Sequence, residues 1–240
     1  MLQTNIPLTK LLSKTQKWKE YLVQQTRFFW EKKCISSFLC FHNICNEDLN
    51  IYSITEDNFI SILQSFEGSF RNIGEVCSLV SHGVVLSFDD GFCSTYEIAF
   101  PILRKYKIPF IVYVSTDYIG RPGYLSKEQV FEMSKESQIC EIGSHMCSHR
   151  KTREMTDEEI MCEWGESKLI LESIIGKPVI HAALPYGSFA SCSMKSIRIG
   201  LKVGYRTVAT THAIPYMKGN VIPRFVYKNN KPFNPIVAKR

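Results

Sequence analysis

From Ser173 to Arg240 this 240-residue chain has no acidic residue, against eleven Lys/Arg. The nine cysteines, Cys34, Cys40, Cys45, Cys77, Cys93, Cys140, Cys147, Cys162 and Cys192, include no CxxC pair, and their number is odd. The common structural zinc spacings are therefore excluded, and a disulfide framework is not expected. Scattered thiols of this kind pack as small hydrophobes and fit a reducing compartment. No apolar run approaches the roughly 18–20 residues of a membrane-spanning helix. The opening stretch, MLQTNIPLTKLLSKTQKWKEY, lacks the apolar core and cleavage site of a secretory signal. A cytoplasmic protein is expected. There is also no internal repeat and no Pro/Gly/Ser-rich linker.

What is present is a chain with 45% hydrophobic and 22% charged residues, enough to bury a core. The net charge of +6 conceals an uneven distribution: +5 over residues 1–33, −10 over 34–172 and +11 over 173–240. The basic ends could face a phosphate-bearing substrate or a membrane surface. Solvated Lys and Arg are the simpler reading. With no zinc-finger spacing, aromatic RNA-binding signature or basic low-complexity arm, nucleic acid is not an expected partner. Residues 1–33 form a basic extension, and 8–33 read as a helix with Leu8, Leu11, Leu12, Trp18, Leu22 and Phe29 as an imperfect apolar stripe. Such a helix can lie on the inner face of a membrane, although packing on its own domain is commoner. Residues 34–240 form the main domain.

In that domain short apolar runs alternate with helical patterns. Strands are expected at Ser37–Phe41, Val84–Phe88, Phe110–Val114, Ile139–Gly143, Val179–Leu184, Thr207–Thr210 and Val221–Tyr227. Helices are expected at Thr55–Phe66 and Thr95–Tyr106. Two more open on capping boxes, Ser126 with Gln129 and Thr156 with Glu159, the second closing at Gly176. Strands alternating with helices imply a parallel sheet, and seven of them suggest an α/β barrel.

Polar residues gather where strands end. Val84–Phe88 runs into Asp89-Asp90-Gly91, Ile139–Gly143 into Ser144-His145 with His149 four residues on, and Val179–Leu184 into Pro185-Tyr186-Gly187. Ser37–Phe41 runs into His42. In parallel barrels this rim is where sites are built. In a helical turn, His145 and His149 would project together and could share a metal ion, with Asp90 as a carboxylate ligand. Cys147 between them would face elsewhere. No Glu of the zinc-protease type stands between the histidines, so a base must come from another place, and Asp89 is the obvious supplier. HxxxH alone is weak, as is Asp-Asp-Gly, since Asp-Gly is an ordinary turn. His82 and His181 read as ordinary loop and strand residues, and Trp18, Trp30 and Trp164 as core.

SFDDG at 87–91, SHMCSH at 144–149 and LPYGSF at 184–189 resemble, in order and spacing, the three leading motifs of the polysaccharide deacetylase family, carbohydrate esterase family 4. The resemblance runs from about Cys40 to about Tyr227. It implies a distorted (β/α)7 barrel, a divalent metal, most often Zn2+, and hydrolysis of N-acetyl (sometimes O-acetyl) groups on saccharides. By motif position Asp89 resembles the base, and Asp90, His145 and His149 the metal ligands. Pro185, Tyr186 and Gly187 resemble the substrate loop whose Tyr186 N–H helps hold an oxyanion. Many members carry Arg where this chain has Ala183. In the branch related to poly-N-acetylglucosamine deacetylases that Arg is often missing, and an aromatic-His motif resembled by Phe41-His42-Asn43-Ile44 supplies the acid. His42 is thus favoured over His212 as the acid. Arg224 is placed with the substrate-binding residues, or in place of the missing Arg. The expected substrate is an N-acetylated saccharide or a phosphate- or lipid-linked precursor. A hydrolase of other non-peptide C–N bonds and a non-catalytic saccharide-binding relative are the alternatives.

Overall fold

The computed structural model describes residues 37–47, 50–77, 83–212 and 220–229, all within one compact unit, Ser36–Phe233. The helix expected over 8–33, Trp18, Trp30 and His82 lie outside the described residues. Among those described, no helix is long and apolar enough to cross a membrane, and all eight cysteines are free.

The described residues form ten strands: β1 (Ser37–Phe41), β2 (Asn43–Ile44), β3 (Ser53–Ile54), β4 (Val84–Phe88), β5 (Phe110–Val114), β6 (Cys140–Ser144), β7 (His181–Ala183), β8 (Thr207–Thr210), β9 (Val221–Pro223) and β10 (Phe225–Val226). Eight of them make one parallel sheet in the order β10-β1-β4-β5-β6-β7-β8-β9, and β2 and β3 pair separately. The helices are α1 (Glu56–Ser65), α2 (Ile73–Cys77), α3 (Phe100–Lys105), α4 (Lys127–Lys135), α5 (Asp157–Ile175) and α6 (Met194–Val203).

The two outermost strands, β9 and β10, are consecutive in the chain. Val221–Pro223 pairs with β8 and Phe225–Val226 with β1, so one segment touches both edges and the sheet nearly closes. The strand expected over Val221–Tyr227 is therefore two strands broken at Arg224, which is why the sheet has eight members and not seven. Arg224 N–H still donates to Thr210 O at 2.8 Å, while Tyr227 N–H donates to Cys40 O at 2.8 Å. The neighbour changes between them.

Side chains alternate between two cores, as period-two strands require. Phe38, Val85, Ile111, Tyr113, Ala183, Ala209 and Ile222 pack together, joined by Ile73 and Val76 of α2. Leu39, Leu86, Phe88, Phe110, Val112, Ile142 and Val208 turn the other way, onto the helices. Burial on both faces explains why VVLSF and FIVYV read as almost wholly apolar runs, interrupted only by the buried Ser87.

Both expected capping boxes are formed, on α4 and α5, and Gly176 ends α5 with φ of 68°. The segment expected as a helix from Thr95 begins as a π-helical turn, Thr95–Ala99, before α3. β6 sits one residue later than expected and β7 is shorter. α6 is not evident from the sequence because Ile197, Ile199, Leu201 and Val203 alternate with period two, which hides the helical face. Gly200 of α6 lets Trp164 pack close, and the Trp164 indole donates to Ser196 O at 2.9 Å. Trp164 is core, as expected. His181 is buried on β7, 2.7 Å from Thr207 Oγ1, with Glu141 3.3 Å from its other nitrogen.

Two substitutions test the barrel. A Cβ on Gly143 would stand 2.6 Å from the Tyr113 ring, so Gly143→Ala should destabilise the fold by about 1–3 kcal/mol in chemical denaturation. Arg224→Leu should cost about 3–5 kcal/mol, because it leaves the buried Asp89 carboxylate unpaired. The double variant Asp89→Asn/Arg224→Leu should lose less than the two single losses combined. Simple additivity would refute the coupling.

Candidate metal and catalytic centre

The C-terminal ends of β1, β4, β6 and β7 bring His42, Asp89, Asp90, His145, His149 and Tyr186 to one end of the barrel. Among the described residues only five non-glycine residues have positive φ, and four are here: Asp90 (70°), Met146 (62°), His149 (56°) and Tyr186 (61°). Such backbone is sterically disfavoured and persists where its surroundings impose it. It also corrects one expectation. His145 and His149 do not share a helical turn. They stand in a loop with left-handed residues at Met146 and His149, which break helical winding yet still bring the rings to 5.1 Å between centroids.

His149 Nε2 lies 3.0 Å and His145 Nε2 3.4 Å from Asp90 Oδ1. Ligand atoms around a tetrahedral ion with bonds of about 2.0–2.1 Å are about 3.3 Å apart. His145 Nδ1 is 2.8 Å from Ala183 O, an acceptor only, so Nδ1 carries the proton and donates. In the neutral ring Nε2 is then a lone pair facing a carboxylate. Asp90 Oδ1 is buried and has no partner in hydrogen-bond geometry. Burial works against a charged His145, but Asp89 and Asp90 outweigh it and raise its pKa. Two acceptors and a carboxylate converging on one point, in surroundings that favour positive charge, fit a divalent cation.

Asp89 lies beside this set, its Oδ2 3.8 Å from His145 Nε2. Its carboxylate is gripped by Arg224, with Nη1 to Oδ1 at 2.5 Å and Nη2 to Oδ2 at 2.7 Å. Nη1 also donates to Ser87 Oγ at 3.2 Å, and the guanidinium lies over the Tyr113 ring. Burial alone would raise the Asp89 pKa, but Arg224 and His145 bring it down to about 2. Arg224 is therefore not a substrate-binding residue. It is buried, and both terminal nitrogens are committed to Asp89. Its guanidinium is spent on holding Asp89, while Ala183 contributes a carbonyl to His145.

His42 reaches the same centre, beside Asp89. His42, Cys40 and Asp89 present potential ligand atoms within 4.8 Å of one another. The His42 ring lies 5.1 Å from that of Tyr52, and its buried Nδ1 has no hydrogen-bond partner among the described residues. Burial, reinforced by Arg224 and His145, lowers its pKa despite Asp89 and Asp90. His212 stacks on Phe189 at 3.5 Å. Tyr186 is exposed above His149, with 4.8 Å between rings, and its N–H has no partner among the described residues. Pro185 O accepts from Gly187 N–H at 2.7 Å. A Cβ on Gly187 would fall 2.8 Å from Thr211 N, so only glycine allows this turn to pack there.

Cys40, Ser87 and Glu163 belong to the site without having been singled out in the sequence. Cys40 and Ser87 stand two residues before His42 and Asp89, so period two could have indicated them. Glu163, on α5, carries no local signal.

A polysaccharide deacetylase family model matches residues 80–208, more than half of the chain. The chain is 26% identical over 219 residues to a poly-β-1,6-N-acetyl-D-glucosamine N-deacetylase of Staphylococcus aureus, covering 82% of this chain and 74% of that one. It is 27% identical over 128 residues to the Bacillus subtilis protein YxkH, a match spanning 53% of this chain but only 44% of that relative. Among solved structures, Streptococcus pyogenes deacetylase PplD superposes with a TM-score of 0.70 at 22% identity, over 81% of this chain and 93% of that one. IcaB from Ammonifex degensii superposes with a TM-score of 0.67 at 25% identity, over 79% and 90%. Barrel and family match agree: this chain belongs to the polysaccharide deacetylase family.

Proposed function

We propose that the chain removes N-acetyl groups from an amino-sugar polysaccharide, with β-1,6-linked N-acetylglucosamine the first polymer to try because the Staphylococcus aureus relative is named for it. The observation that carries this reading is the pairing of two sets at one rim: Asp90, His145 and His149 converging on a point, and Asp89 held beside them by Arg224.

Asp90, His145 and His149 would hold the ion, with zinc favoured by the imidazole-rich set. A divalent ion supplies Lewis acidity, lowering the pKa of water to about 7 and polarising a carbonyl. Asp89 takes the proton of the water whose oxygen attacks the acetyl carbon. Arg224 keeps that carboxylate ionised and fixed in orientation. Tyr186 N–H faces the carbonyl oxygen as negative charge develops, a contribution of roughly 3–4 kcal/mol for a good donor. His42, in its protonated form, gives a proton to the sugar nitrogen as the C–N bond breaks and is left neutral, with acetate and a free amine as products.

Acetate release from N-acetylglucosamine oligomers should need added divalent metal and be abolished by Asp89→Asn. His42→Ala should lower kcat by about 10²–10⁴-fold, whereas His212→Ala should stay within a few-fold of the parent. Metal-replete protein that binds the oligomers but never releases acetate would overturn the catalytic reading. Loss of turnover in His212→Ala with His42→Ala unaffected would overturn the choice of acid.

A further inference from the structure

His149 meets Asp90 and His145 only if the loop from Ser144 to His149 keeps an unfavourable shape, with Met146 and His149 both left-handed. One face of α5 imposes that shape. Ser167 Oγ lies 2.6 Å from Ser144 Oγ, which accepts from Met146 N–H at 3.1 Å. Glu163, four residues earlier and hence on the same face, takes the rest of the loop. Its Oε2 accepts from Cys147 N–H at 2.8 Å and Ser148 N–H at 2.9 Å, and its Oε1 from the Ser148 hydroxyl. The Cys147 thiol adds a contact to Glu163 O at 3.4 Å. Three donors thus converge on one side chain. A carboxylate accepts at both oxygens and so can take all three, whereas an amide would keep the two N–H bonds at its oxygen and meet the Ser148 hydroxyl as a donor, and alanine would keep none.

We propose that Glu163 is the positioning residue of the metal-ligand loop: its carboxylate fixes the backbone over 147–148 so that His149 arrives at Asp90 and His145. The inference rests on reading those three residues as the metal ligands. It gives α5 a task beyond packing, since the residue that shapes the site touches none of the ligand side chains. Groups that orient metal ligands typically change affinity by about 10–100-fold when removed.

The test is calorimetric titration of Zn2+ into metal-free protein, alongside the unfolding midpoint of the same metal-free samples. E163A, which removes all three bonds, should weaken zinc binding by about 10–100-fold, and E163Q and Ser148→Ala, which leave the two N–H bonds possible, by smaller factors. A purely structural Glu163 would lower the unfolding midpoint and leave zinc affinity at the parental value, and that result overturns the proposal. Should E163A fail to fold, Ser148→Ala decides: weaker zinc binding supports the proposal and parental affinity overturns it. His149→Ala serves as the separate control. If it binds zinc like the parent, the ligand assignment itself fails, and the role of Glu163 toward it fails for that reason.

Discussion

The ion pair between Arg224 and Asp89 is the interaction on which the rest of this structure depends. Both partners are buried, and burying either charge alone would cost several kcal/mol. Two parallel hydrogen bonds, a further bond to Ser87 and the face of Tyr113 offset that cost. Arg224 is also the residue at which the chain leaves β8 and joins β1. One side chain thus links closure of the barrel to the ionisation of the proposed base. A buried carboxylate is ordinarily pushed toward its neutral form, but here the guanidinium keeps it ionised down to a pH of about 2.

Strain at the rim follows from what the rim must do. Strands deliver side chains alternately to the two sides of the sheet, so an extended chain would send Asp89 and Asp90 in opposite directions. The left-handed backbone at Asp90 bends the chain and brings both carboxylates toward His145. The same device recurs at Met146 and His149 and at Tyr186. These conformations are sustained by specific bonds: Asp89 N–H to Phe41 O, His145 N–H to Val114 O, and the α5 carboxylate beneath the histidine loop. The scaffold is regular where it carries load and irregular where four strands present their last residues.

How much of this was legible in the sequence follows from the range of the forces involved. β1, β4, β5 and β8 were readable to the residue because short, mostly apolar or β-branched runs are bounded by polar and turn-forming residues. The capping boxes of α4 and α5 were readable because their bonds span three residues. The candidate residues Asp89, Asp90, His145 and His149 were legible as strand-end polar groups, although the helical turn assumed for the histidines was wrong. The partner of Asp89 was not legible in the same way, since Arg224 lies 135 residues away and only the closed barrel brings it there. The same applies to Glu163 beneath Ser148. In α6 the local signal misled, because alternating isoleucines imitate a strand although Trp164 and Gly200 pack as helix against helix.

Two adjacent carboxylates beside two histidines would ordinarily compete for one proton, and one acid would become neutral. Arg224 removes that conflict. With Asp89 neutralised in place by a group that cannot leave, the charge left for a cation is that of Asp90, supplemented by two imidazoles. His145 is locked by Ala183 O into the tautomer that offers its Nε2 lone pair. The two neighbouring acids thereby acquire different environments: Asp90 faces the proposed metal point, and Asp89 faces an arginine that holds it ionised without blocking its approach to His145. The separation of roles between neighbours comes from the residues each carboxylate meets, and not from any difference between the carboxylates.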